Sequence, residues 1–85
     1  MPAFEPSGDL LSDLQQCIET QTQMFIRYVD RKGQPSERNA APLEIRDDSV
    51  YIWDMEKNAL RLMKLQGITS YEVLDATFDK EQFTT

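Results

Sequence analysis

The sequence predicts a mainly β chain with one N-terminal helix, folded as a small, strongly bent antiparallel sheet or barrel. Three observations predict it. Residues 9–22 have helical period. About five short segments after them alternate or run apolar and are separated by turn-forming residues. The chain has 85 residues, 40% hydrophobic and 28% charged, enough for one small core.

Residues 1–8 contain Pro2, Pro6, Ser7 and Gly8 and read as a flexible arm before a single domain over 9–79. In the helix, about 9–22, Leu10, Leu14, Cys17 and Ile18 make one apolar stripe. Ser7 or Asp9 is placed to cap it, and Asp9 and Asp13 suit the positive end of its dipole. Asp13, Gln16, Glu19 and Gln23 fall on the other face, expected to be solvated. The strands occupy about 23–78. "MFIRYV" alternates Met24, Ile26 and Tyr28 against Phe25, Arg27 and Val29, and "DRKG" turns at Gly33. In "SERNAAPLEI", Pro42 has no amide to donate to a central ladder, so the segment is read as an edge or bent strand. "RDDS" turns into "VYIWD", and "MEKN" reverses the chain into "ALRLMKL". "QG" turns again before "ITSYEVLDATF", and residues 80–85 are expected to fray.

Composition narrows the function. Net charge is −6, which opposes indiscriminate binding to phosphates. The charge is uneven: residues 23–68 sum to +1 and the two ends to −7. A basic face in the middle is therefore compatible with an acidic protein. No apolar run reaches membrane-spanning length, so no membrane role is expected. The start lacks the pattern of a signal peptide. Cys17 stands alone, so a reducing, cytoplasmic setting is the default expectation. With no His, one Cys and no phosphate loop, no catalytic constellation, cofactor or metal is expected. Asp54, Glu56 and Asn58 have the spacing that opens a calcium loop, but Ala59 stands where Gly is required, so a hairpin turn is preferred. Cys17, on the apolar stripe, reads as a small buried hydrophobe.

Several strands carry large apolar groups on both faces; one face can fill a barrel interior, and one short helix does not cover all of the other, so some aromatic surface is expected to meet a ligand or another chain. The order of residues resembles the WYL domain of bacterial transcriptional regulators. "IRYVDRKGQPSERNAAPLEI" followed by "VYIWD", "LRLMKLQGI" and "VLD" carries the likeness. Ile26 and Tyr28 match an I-x-Y strand, Gly33 the turn, and Arg38, Pro42 and Leu43 the next strand. Val50-Tyr51-Ile52 matches the namesake run loosely, and Arg61 to Ile68 the following strand. The likeness covers roughly residues 9–78. It implies an Sm-like, five-stranded antiparallel barrel of SH3 type that senses ligands, nucleic acids or nucleotides among them. Three departures stand out. Val50 replaces the namesake Trp, although Trp53 follows, and Gln66-Gly67 replaces an Asp-Arg pair. One helix also cannot make a helix-turn-helix, and nothing follows Thr85, so a stand-alone domain acting through a partner protein is expected.

The ligand-binding candidates are Tyr28, Arg38, Tyr51, Trp53 and Arg61. Guanidinium groups of Arg38 and Arg61 suit phosphate or carboxylate; otherwise they pair with Glu37, Glu44 or a neighbour. The aromatic rings suit stacking on unpaired bases, or else packing. The expected function is recognition of an anionic effector, single-stranded nucleic acid or nucleotide, passed on to a regulatory protein partner. The alternative is a protein–protein interaction or homo-oligomerisation module on the same barrel, with ligand binding lost.

Overall fold

In the computed structural model, which describes residue 4 and residues 6–83, the helix runs from Leu10 to Thr20 (α1). Of its two candidate caps Asp9 is the one used: its carboxylate accepts the Ser12 amide at 3.2 Å. Gln21 then adopts a left-handed conformation (φ 52°), and its amide donates to the Cys17 and Ile18 carbonyls. That C-cap satisfies the helix end and turns the chain at once into a strand. Leu14 and Cys17 are fully buried from the predicted stripe. Asp13 is not on a solvated face as expected: it is 2% exposed. The Ser7 amide and hydroxyl, the Gly8 amide and the Tyr71 hydroxyl all donate to its carboxylate. These bonds tie down the end of the predicted arm; positions 1–3 and 5 of that arm lie outside the described residues.

Five antiparallel strands follow: β1 (Thr22–Val29), β2 (Pro35–Arg46), β3 (Ser49–Asp54), β4 (Ala59–Lys64) and β5 (Ile68–Thr77). They form one sheet in the order β4-β3-β2-β1-β5. Among the described residues the mainly β class with a single α-helix is as predicted. The barrel is not closed, however: β4 and β5 are the two edges of the sheet. Short turns explain the order. Asp30 accepts the Lys32 and Gln34 amides, and Gly33 supplies φ 81°. Asp47 (φ 56°) turns β2 into β3, and Asn58 (φ 55°) closes the β3–β4 hairpin.

β2 is a central strand, so the edge reading of the Pro42 segment falls and the bent one stands. Its first half pairs with β1 as far as Ala40, and its second half pairs with β3. The register shifts between Pro42 and Glu44. Pro42 thus sits beyond the β1 ladder, where its missing amide breaks no bond to β1. The bulge and the split pairing bend the sheet around α1, which packs on β1 and β2. Met24, Ile26, Ala40, Val50, Ile52, Met63 and Val73 fill the inner face against Leu14 and Cys17. Burial pushes the Cys17 thiol up to about 12, with the Asp13 charge adding to it. Between β4 and β5 the chain makes a short 3-10 turn, Leu65–Gly67. Where a frayed tail was expected, Lys80–Phe83 form another; positions 84–85 lie outside the described residues.

Candidate functional site

Side chains alternate between the two faces of a strand, and this period separates the five candidate residues. On β1, Tyr28 shares the inner face with Met24 and Ile26. Its partner on β2 is Ser36, two residues from Arg38, which lies opposite Ile26. On β4, Arg61 lies opposite Ile52 of β3, again on the inner face. Tyr51 and Trp53 lie opposite Leu62 and Leu60, on the outer face. The expected single surface of Tyr28, Arg38, Tyr51, Trp53 and Arg61 is therefore two surfaces, with the sheet between them.

The inner group is built around Asp54, the last residue of β3, which is 1% exposed. Asp54 is opposite Ala40 on β2 and opposite Ala59 on β4. Arg38 and Arg61 are each two positions from those partners, so they are its diagonal neighbours on either side. Both arginines converge on its Oδ2: Arg38 Nη1 at 2.8 Å and Arg61 Nε at 3.3 Å. Its Oδ1 accepts the Glu56 and Lys57 amides at 3.0 Å each, which shapes the hairpin turn. The Asp54, Glu56 and Asn58 spacing thus belongs to a turn closed by Asp54. Burial raises the pKa of this carboxyl, but the Lys57 and Glu56 amides and the Arg38 and Arg61 charges outweigh it. The result lies below the ordinary 3.8.

Neither arginine pairs with the glutamates proposed as bland partners. Glu37 pairs with Arg27, and Glu44 with Arg46. Arg38 also donates through Nη2 to Ser36 Oγ at 3.0 Å, while its buried Nε has no hydrogen-bond partner among the described residues. Two guanidinium groups around one carboxylate leave one positive charge over. Arg61 remains half-exposed. Tyr28, Arg38 and residues 60–63 line a groove of about 340 Å³. That groove lies along a seam between β4 and the Tyr28 end of β1. The Tyr28 hydroxyl crosses the seam, accepting the Lys64 amide at 3.3 Å.

The seam also explains Gly67, read from sequence as a lost basic group. A Cβ there would stand 2.6 Å from Tyr28 Cε1 and 2.8 Å from the Val29 carbonyl oxygen. In this packing no side chain fits, and the space belongs to the Tyr28 ring.

The outer pair meets its own chain. Trp53 stacks on Phe83 with centroids 4.7 Å apart and planes 12° apart. Its Nε1 donates to Asn58 Oδ1 at 3.2 Å. Tyr51 carries the Arg46 guanidinium over its ring at 5.5 Å. It lines a separate groove with Leu43, Glu44, Arg46, Leu60 and the 80–81 turn. Asp54 and Asp13, which organise the two polar clusters, were missed as such. The hairpin register around 55–58 places Asp54 diagonal to Arg61 and was the signal that could have found the first.

No family model and no curated protein matches this chain. Among solved structures it is similar to proteasome accessory factor B/C (PafBC) of Arthrobacter aurescens, with a TM-score of 0.72 and 17% identity. The match covers 99% of this chain and 14% of that one, so this chain spans about a seventh of the other's length. At that identity the likeness shows the fold alone. Among the described residues no helix is long and apolar enough to cross a membrane.

Proposed function

We propose that this chain is a regulatory, ligand-sensing domain of WYL type, which takes an anionic group of its effector in the seam between β4 and Tyr28. One observation carries the reading: two arginines from different strands converge on a single buried carboxylate beside an open groove, leaving a surplus positive charge. Arg38 is mostly buried against Asp54 and serves as the anchor. Half-exposed Arg61 is the group that meets the ligand, held in direction by Asp54. Tyr28 replaces Tyr51 as the ring beside the bound group, because Tyr51 faces the other way. Single-stranded nucleic acid or a nucleotide supplies both features this seam selects, a phosphate and a stacking base.

Fluorescence anisotropy of labelled single-stranded DNA, single-stranded RNA and a fluorescent nucleotide tests it, at low and moderate salt. Saturable binding that weakens with salt is expected, and Arg61→Ala should weaken it by about tenfold or more. Trp53→Ala should leave it unchanged. Binding indifferent to Arg61→Ala, or none at all, overturns the reading.

A further inference from the structure

The groove at the seam is also a sheet edge, and its lining shows how that edge is dressed. The Lys64 amide points across the seam to Tyr28 rather than to β3. Backbone groups alternate sides along a strand, so Leu60 and Leu62 direct their amides and carbonyls the same way, away from β3. The other hairpin bonds agree: the Asn58 amide donates to the Asp54 carbonyl and the Met55 amide to the Asn39 carbonyl. This sends the even residues of β3 toward β4 and the odd ones toward β2. Among the described residues no strand pairs with this edge. The side chains are equally uncovered: Leu60 is 56% exposed and Leu62 55%, both on the outer face. Between them Arg61 points inward to Asp54 and shares with Arg38 the surplus positive charge.

We infer that the β4 edge is a docking site for an extended segment of a partner protein, added as a sixth strand and carrying an acidic residue between two apolar ones. Each part of that motif has its complement here. The partner residue facing Arg61 points to the inner face, where a carboxylate meets the guanidinium groups of Arg61 and Arg38. Its two neighbours point outward, where apolar side chains cover Leu60 and Leu62. The backbone groups of Leu60 and Leu62 supply the ladder. Tyr28 at the Lys64 end marks where the added strand must stop. The inference shares Arg61 with the effector site but does not depend on a nucleic-acid effector. Where both ligands bind, they compete for one seam, and occupancy by the effector then releases the partner.

The test uses the whole chain and a labelled peptide with a Thr-Val-Glu-Val-Thr core, followed by anisotropy and by amide shifts in ¹⁵N spectra. Expected are saturable binding and shifts centred on residues 60–64. A peptide with Lys in place of Glu should bind about tenfold or more weakly. The double variant Leu60→Lys/Leu62→Lys, at solvent-exposed positions, should lose the peptide. It should keep its thermal melting, and titration of the unsubstituted chain with the fluorescent nucleotide runs in parallel, so that failure of peptide binding and failure of effector binding are read separately. Shifts confined to β5, equal binding of the Lys peptide, or no binding overturn the inference. Concentration-dependent dimers abolished by the double variant would assign the edge to a second copy, and overturn it equally.

Discussion

Asp13 and Asp54 are both buried carboxylates held ionised, yet their surroundings are opposite. The donors to Asp13 among the described residues are neutral: two amides and two hydroxyls, from Ser7, Gly8 and Tyr71. They join the segment before α1, α1 itself and β5, so Asp13 is a clasp between elements. Asp54 also takes two amides, but its remaining partners are two arginines. Neutral donors leave the Asp13 cluster with its own negative charge, closed in by the fold. The arginines over-compensate Asp54 and leave a positive charge beside an open groove. One carboxylate organises structure; the other organises structure and leaves chemistry at the surface.

Breaking the comparison should give unequal costs. Asp54→Ala strands a mostly buried guanidinium and undoes the turn at 55–58, so a loss of about 3–5 kcal/mol is expected. The urea midpoint measures it, and a loss no larger than that of the Asp13 variant would erase the distinction. Asp13→Asn removes one buried hydrogen-bonding oxygen among neutral donors and should cost about 1–3 kcal/mol. Amide exchange should show the loosening at Ser7, Gly8 and the start of α1, with β3 and β4 still protected.

Acid sharpens the same contrast. Burial raises the Asp13 carboxyl, but hydrogen bonds from Ser7, Tyr71 and Gly8 outweigh it and hold the carboxyl below 3.8. Asp54 is lowered too. The folded pKa values therefore lie below the unfolded ones, and the unfolded chain takes up protons first. The stabilisation is present above about pH 4 and is lost as pH falls through the lower folded values. Urea melts at neutral and at acidic pH should show this fall, and Asp13→Asn and Asp54→Asn should each flatten it. A variant with the wild-type slope would remove that residue from the account. The smallest effect belongs to Arg61→Gln. Arg61 is half-exposed and Arg38 still pairs with Asp54, so less than about 1 kcal/mol of stability should be lost while effector binding falls. A large loss of stability would make Arg61 a structural group.

Much of the fold was legible because it is local. The stripe from Leu10 to Ile18, the Gly33 and Asp47 turns and the alternation of "MFIRYV" each specify an element within a few residues. The site was legible in part. Arg38 and Arg61 belong together, but Tyr51 and Trp53 do not join them. Their parity along β3, opposite to that of Asp54, already held that answer. Asp13 was assigned to solvent because helical period alone cannot see that Ser7, Gly8 and Tyr71 close over it.

By itself, then, the sequence determined the element order, the turns and which residues alternate with which, since these follow from short-range backbone preferences and the periods of helix and strand. Tertiary structure alone decided that β2 bends at the Pro42–Glu44 bulge, that the sheet stops short of closing, and that Arg38 and Arg61 meet on Asp54. It also decided that Tyr28 fills the space above Gly67. Those outcomes depend on register and curvature summed over distant strands, and on the need of a buried carboxylate for partners that sequence spacing does not reveal.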